Sequence, residues 1–256
     1  MNYRLLALLI VCLSGQLSAQ ILPTFGNSRT GGSGMQFLKI PNDARSTAMA
    51  GAVAGITNDV SAMFWNPAGI TKVDTGRFNV QLSHTRYYAN SNANFAGIVF
   101  KASKYKFIGV QVQSLNYATM EETTEWQPYG TGRNVNVNNV MLGLTYAQIL
   151  TDNFSFGING KWAHEGIADV RVNNVLFDLG LTYNIGLMNS KFGVAFSNFG
   201  MNVSPDGSVT LLKLNGESSV NNFTELSAPS VFRIGGALDP IHTNLHILTM
   251  SAQLNH

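Results

Sequence analysis

Residues 177–184 read FDLGLTYN, with Phe177, Leu179, Leu181 and Tyr183 at one parity and Asp178, Gly180, Thr182 and Asn184 at the other. Successive side chains of a strand point to opposite faces, so this stretch has one large apolar face and one small polar face. The split recurs at Phe154, Phe156 and Ile158 against Ser155, Gly157, Asn159 and Lys161, and at Phe78, Val80 and Leu82 against Asn79, Gln81 and Ser83. The polar face is mostly Gly, Asn, Ser, Thr and Gln in a chain that is only 12% charged. A secreted β-sandwich or propeller also alternates. A polar interior opposite a face of large apolar residues instead predicts an outer-membrane β-barrel.

Working outward, strands are predicted near 76–87, 93–102, 105–117, 137–150, 153–164, 172–186, 191–199, 230–239 and 244–255. Most have the length that a tilted membrane strand needs. Short links at 103–104, 151–153, 187–190 and 240–243 alternate with longer ones at 118–136, 165–171 and 200–229, the pattern of short turns on one side and long loops on the other. Tyr87, Tyr88, Tyr146, Trp162 and Tyr183 fall near strand ends, as interfacial aromatics do. About nine strands make an odd count, whereas single-chain bacterial barrels have an even one. The expectation is therefore an incomplete, C-terminally truncated barrel over residues 74–256, with a gap between its first and last strands.

Composition narrows the alternatives. The formal charge of +2, with no basic stripe interleaved with aromatics, argues against a nucleic-acid partner. Residues 1–19 combine Arg4, an apolar run from Leu5 to Leu13 and the small-residue site Leu17-Ser18-Ala19, the plan of a secretory signal peptide. The single cysteine, Cys12, lies in that run behind Val11, where a lipoprotein site would need a small residue. Beyond it no apolar stretch reaches the roughly 18 residues of a helical span, so a membrane protein of this composition must be a barrel. Residues 20–36, with Gly31-Gly32-Ser33-Gly34, read as a flexible lead-in.

Residues 37–73, FLKIPNDARSTAMAGAVAGITNDVSAMFWNPAGITKV, break the alternation. Asp43 is placed to cap a short helix with Ala44, Ala48, Gly51 and Ala52 as its small-residue face, and a second turn starts near Asp59. Asn66-Pro67-Ala68-Gly69 supplies a turn with an extended entry and a glycine exit. The segment is compact enough to plug something narrow.

The ordered set Phe37-Leu38-Lys39-Ile40-Pro41-x-Asp43-Ala44-Arg45, a small-residue run, then Asp59 and Trp65-Asn66-Pro67-Ala68-Gly69 resembles the start of PorV/PorQ-type outer-membrane proteins of the type IX secretion system. The wider FadL-like transporters carry a similar N-terminal hatch. The motif-level resemblance covers about forty residues from Phe37. It implies a FadL-like antiparallel barrel with a short helical hatch built on Asp43, Arg45, Asp59, Trp65, Asn66, Pro67 and Gly69. It also implies a non-enzymatic role with no cofactor, in the outer membrane of a Gram-negative-type bacterium after signal-peptide removal. Partners would be outer-membrane lipid, secreted proteins with C-terminal signal domains and other secretion-system subunits. The segment from Phe37 to Arg45 is nearer the PorV pattern than the PorQ one. A FadL-like transporter of hydrophobic small molecules is the competing reading.

His242 and His246 have the spacing of metal ligands on a helix, but in a strand-and-turn setting they fall on different surfaces. His164-Glu165 is a pair at a strand end without an evident third partner for acid–base work. The loops carry more. Glu125, Trp126, Tyr129 and Arg133 mix aromatics and charge as contact surfaces do, and Leu211, Leu212 and Leu214 offer an apolar patch for a partner or for folding over a pore.

Overall fold

Alternating strands joined in sequence order build one large antiparallel sheet in a computed structural model, which describes residues 32–74, 76–213, 216–243 and 246–256, without the side chains of 211–213 and 216–218. The expected signal peptide, Cys12, most of the expected lead-in and Leu214 lie outside the described residues.

The strands are β1 (Phe78–Arg86), β2 (Asn92–Lys101), β3 (Lys106–Asn116), β4 (Met120–Glu121), β5 (Asn134–Val135), β6 (Val137–Ile149), β7 (Phe154–Ile167), β8 (Val170–Asn184), β9 (Lys191–Gly200), β10 (Val209–Lys213), β11 (Gly216–Val220), β12 (Val231–His242) and β13 (Ile247–Asn255). Nine of them form the main sheet in the order β1-β2-β3-β6-β7-β8-β9-β12-β13, every neighbour antiparallel. The nine expected strands are these nine, with boundaries within about four residues. β1 and β13 are the edges and do not pair with each other. β4–β5 and β10–β11 are small hairpins inside the two long loops. The connection expected at 165–171 is instead a tight turn at Ala168-Asp169, because the alternation of β7 and β8 continues to its very edge and Ala168 adopts a left-handed φ of 52°. One rim of the sheet therefore carries both long loops and the other only short turns.

Among the described residues no helix is long and apolar enough to cross a membrane. The sheet is the extended element, and its two faces differ. Val80, Val110, Leu142, Leu144, Val175, Phe177, Leu179 and Leu181 lie exposed on the outer face. Along β7 the outer positions from Phe154 to Trp162 are apolar or glycine, a run of about 27 Å at the usual strand rise. One register row nearer the loops, the outer face turns polar except at Val140: His84 pairs with Asn94, Asn94 with Ser114, and His164 with Asn173.

The inner face is covered by residues 33–73. The chain enters at the loop rim, where Ser33 bridges Ser227 and the Met35 N–H donates to Glu165 (2.6 Å). The covering segment thus starts four residues ahead of the expected boundary at Phe37. It ends at the turn rim, where the 3-10 helix Pro67–Lys72 packs on β6, β7 and β8. Between them lie the helices Ala44–Ala48 and Ala62–Trp65.

Two expectations about this segment are corrected. The first helix stops at Ala48, since Ala50 and Gly51 take positive φ, and Ala44 and Ala48 face outward while Ser46 is buried. The inner wall is also not uniformly polar. Phe95, Val99, Phe107 and Ala147 form an apolar patch under Val60, Met63 and Ile70, and a second patch of Leu115, Met141, Val172 and Leu176 lies under Met35, Phe37 and Leu38.

Contact between segment and wall is close enough to forbid side chains. A Cβ on Gly157 would lie 2.4 Å from the Pro67 carbonyl carbon, and one on Gly180 would lie 2.2 Å from Asn66 Oδ1. We predict that Gly157→Val or Gly180→Val displaces Pro67–Lys72, at a cost of roughly 1–3 kcal/mol or more. Limited proteolysis should then cut within residues 33–73 in the variants while the wild type stays protected. Equal protection would mean the segment tolerates the added volume.

Candidate functional site

The residues singled out in the hatch form one linked set. Asp43 caps the helix Ala44–Ala48 by accepting from the Ser46 N–H (2.7 Å), and its other oxygen accepts from Trp65 Nε1 (2.8 Å). One carboxylate therefore joins the two helices. Arg45 donates to Asn58 Oδ1 (2.8 Å) and lies 3.9 Å from Asp59, whose Oδ1 accepts from the Ser61 N–H (2.9 Å) at the start of the second helix. The Arg45–Asp59 pair is half-exposed, so its share of the stability is small.

Asn66 is fully buried and satisfied on three sides: Nδ2 donates to the carbonyls of Ala54 (2.7 Å) and Leu181 (3.1 Å), and Oδ1 accepts from the Ala68 N–H (3.1 Å). Its backbone is extended, with φ −157°, as a residue before proline prefers, and Pro67 then opens the 3-10 helix. Gly69 serves a different purpose from the expected left-handed exit. It sits inside that helix, and a Cβ there would lie 2.6 Å from Thr57 Oγ1 and 2.9 Å from Ala62 Cβ.

The hatch is fixed to the wall from one side of the sheet to the other. Gln113 Nε2 on β3 donates to the carbonyls of Phe37 and Ile40 (3.3 Å each), while Gln253 Oε1 on β13 accepts from the N–H groups of Val53 (3.1 Å) and Ala54 (2.9 Å). At the turn rim Lys72 Nζ donates to the Gly55 carbonyl (3.1 Å). Burial, and then the neighbouring Lys191 charge, lower its pKa to about 8.

Behind the hatch lies a buried polar cluster. Lys161 Nζ on β7 meets Asp178 Oδ2 on β8 and Asn198 Oδ1 on β9, each at 2.6 Å. Asn198 sits at an irregularity in the β8–β9 register with φ 59°, which turns its N–H onto Asp178 Oδ1 (2.7 Å). Asn159 Nδ2 donates to Asp178 Oδ2 (2.9 Å). Arg233 on β12 donates to Ser197 Oγ (2.7 Å) and lies over the rings of Phe64 (5.8 Å) and Trp65 (5.4 Å). A chain of contacts thus runs from Arg233 through the Trp65 ring to Asp43. Alternation placed Lys161, Asp178 and Asn159 on the polar face, but not beside one another. The available signal was two opposite charges at the inward parity of predicted neighbouring strands. Arg233 gave none, because its partners, Ser197 and the rings of Phe64 and Trp65, are distant in sequence.

The loop residues divide. Trp126 (76% exposed) and Tyr129 (99% exposed) stand free in the long loop between β3 and β6, and Glu125 is exposed beside them. Arg133 is drawn instead to the base of that loop, where it pairs with Asp169 and lies 4.0 Å from Glu122; its hydrogen bond to Asp169 and the two carboxylates raise its pKa. His242 lies 3.8 Å from Asp239 at the turn rim.

No family model matches the chain. Over 76 residues it is 37% identical to a protein of Neisseria meningitidis serogroup B (strain ATCC BAA-335 / MC58) that bears the name "Putative outer membrane protein NMB0088". That stretch is 28% of this chain and 16% of the Neisseria protein, so the chain spans about a sixth of the relative's length.

Removing one member of a buried ion pair leaves an uncompensated charge. Lys161→Met is therefore expected to destabilise the fold by roughly 3–5 kcal/mol, and Lys161→Met/Asp178→Leu by clearly less than the sum of the two single changes. Denaturant titration of the three variants checks this. Additive losses would show that the pair is not coupled.

Proposed function

We propose that the chain is an outer-membrane component of type IX protein secretion that binds secreted proteins or surface partners through its loop rim. The observation that carries the membrane part is the sheet's outer face, exposed and apolar for about 27 Å along β7, while its inner face, polar and apolar by turns, is closed by the hatch. A soluble sheet would bury the apolar side. The name of the Neisseria relative supports the same placement.

The secretion role rests on the resemblance of residues 37–73 to the PorV/PorQ pattern. Trp126 and Tyr129 support it, since exposed Trp and Tyr are the residue types that most often anchor a protein interface. In lipid the unpaired groups along the β1 and β13 edges would each cost several kcal/mol, so this reading requires both edges to be paired by further strands in the membrane.

A FadL-like transporter of hydrophobic small molecules is the second reading. It is favoured by the apolar wall of Phe95, Val99 and Phe107, which the hatch covers with Val60, Met63 and Ile70 and which hatch movement would uncover. The polar cluster beside it favours a wall made to hold the hatch in place.

Replacing Trp126 and Tyr129 with alanine is expected to reduce recovery of co-purifying secreted proteins by roughly tenfold or more, as for an aromatic anchor pair, with barrel assembly unchanged. Undiminished recovery from detergent-solubilised membranes would remove this loop from the interface.

A further inference from the structure

A polar cleft of about 440 Å³ opens on the outer face at the loop rim, lined by Arg133, Asn138, His164, Gly166, Asp169 and Arg171 among others. Its floor is Gly166, an outer position of β7 that pairs with Asn138 on β6 and Arg171 on β8. The missing side chain makes the hollow. Arg133 closes one wall and is neutralised there by Asp169. Arg171 is exposed and bridges Asp206 on its other side, and among the described residues its guanidinium forms no ion pair with that or any other carboxylate, so it stays open to an anion.

The position of this charge is informative. One register row below Gly166, the His164 ring is fixed by Asn173 Oδ1 (2.8 Å) and stacks on Trp162 at 6.0 Å and 18°. Trp162 pairs with Leu142 and Val175, the first fully apolar row of the outer face. An unmatched arginine in a hollow thus stands two rows above the point where the surface becomes apolar, about 14 Å along the strand.

We infer that this cleft binds the phosphate group of a membrane lipid, whose acyl chains lie along Leu142, Trp162 and Val175. The inference rests on the reading that the outer face meets lipid. Arg171 supplies the fork for a phosphate, Asn138 and His164 supply further polar groups at its sides, and Gly166 leaves the room. The apolar row below distinguishes a lipid phosphate from a free one, since inorganic phosphate gains nothing from it.

The test is native mass spectrometry of the detergent-solubilised chain with lipid A, with chemically dephosphorylated lipid A and with inorganic phosphate as probes. The wild type is expected to retain lipid A roughly tenfold better than Arg171→Gln, the loss typical of one charged hydrogen-bonding group. Arg171→Lys should recover part of the retention, and Lys104→Gln, exposed at the turn rim, should match the wild type. Circular dichroism verifies that each variant is folded. Dephosphorylated lipid A should bind as poorly to the wild type as lipid A does to Arg171→Gln. Equal retention by wild type and Arg171→Gln, or no preference for the phosphorylated lipid, would overturn the cleft while leaving the membrane reading in place. Displacement of lipid A by equimolar inorganic phosphate would mean an ion site and would overturn the lipid assignment. Failure to retain lipid of either kind would overturn the membrane reading and the cleft with it.

Discussion

The inner half of this protein depends on the approach of the Asn66–Ala68 turn to Gly157, which meets its backbone, and to Gly180, which meets the Asn66 and Pro67 side chains. Strands β7 and β8 give up a side chain at these positions, and the hatch brings a proline-fixed turn into the space. Asn66 completes the contact by hydrogen bonding to the hatch and to the carbonyl of Leu181 on β8 at once. A turn that near the wall leaves little room for water, so its own backbone groups and the Asn66 amide are best met by protein partners. That requirement accounts for the three-way satisfaction of Asn66 and, through Ala54, for the bond that Gln253 makes with hatch backbone.

The same constraint explains why charge is tolerated on the inner wall. Lys161 and Asp178 are almost fully buried, which is costly unless both are paired and their remaining valences are filled. Asn159 and Asn198 fill them, and the irregular backbone at Asn198 turns an N–H toward the carboxylate. Arg233 is handled differently. It faces aromatic rings of the hatch, so removing the hatch would take away its cover as well as its neighbours.

Much of the sheet was legible in the sequence because a period of two needs only local information. Phe177 to Asn184 and Phe154 to Lys161 fall on the two faces that their parity requires. The Asp43 cap was legible for the same reason, since it acts three residues away. Features set by distant contact were not. Gly69 reads as a turn glycine, but its role comes from Thr57 and Ala62 packing against it. Ala44 and Ala48 read as a packing face, but the helix is too short to present one and the close contacts fall to Gly55 and Ala68. The apolar patches at Phe95 to Phe107 and Met141 to Leu176 break the polar-inside rule where Met63, Ile70 and Phe37 need a matching wall.

A membrane location requires the outer face of the sheet to meet lipid, and Trp162 reports on that contact directly. Trp65 is buried under Arg233, and Trp126 stands in the loop, whereas Trp162 lies on the apolar outer surface. Steady-state tryptophan fluorescence in vesicles carrying brominated acyl chains should show strong quenching of the wild type, most of it lost in Trp162→Phe. Quenching that is absent, or that persists undiminished in Trp162→Phe, would contradict a lipid-facing outer surface.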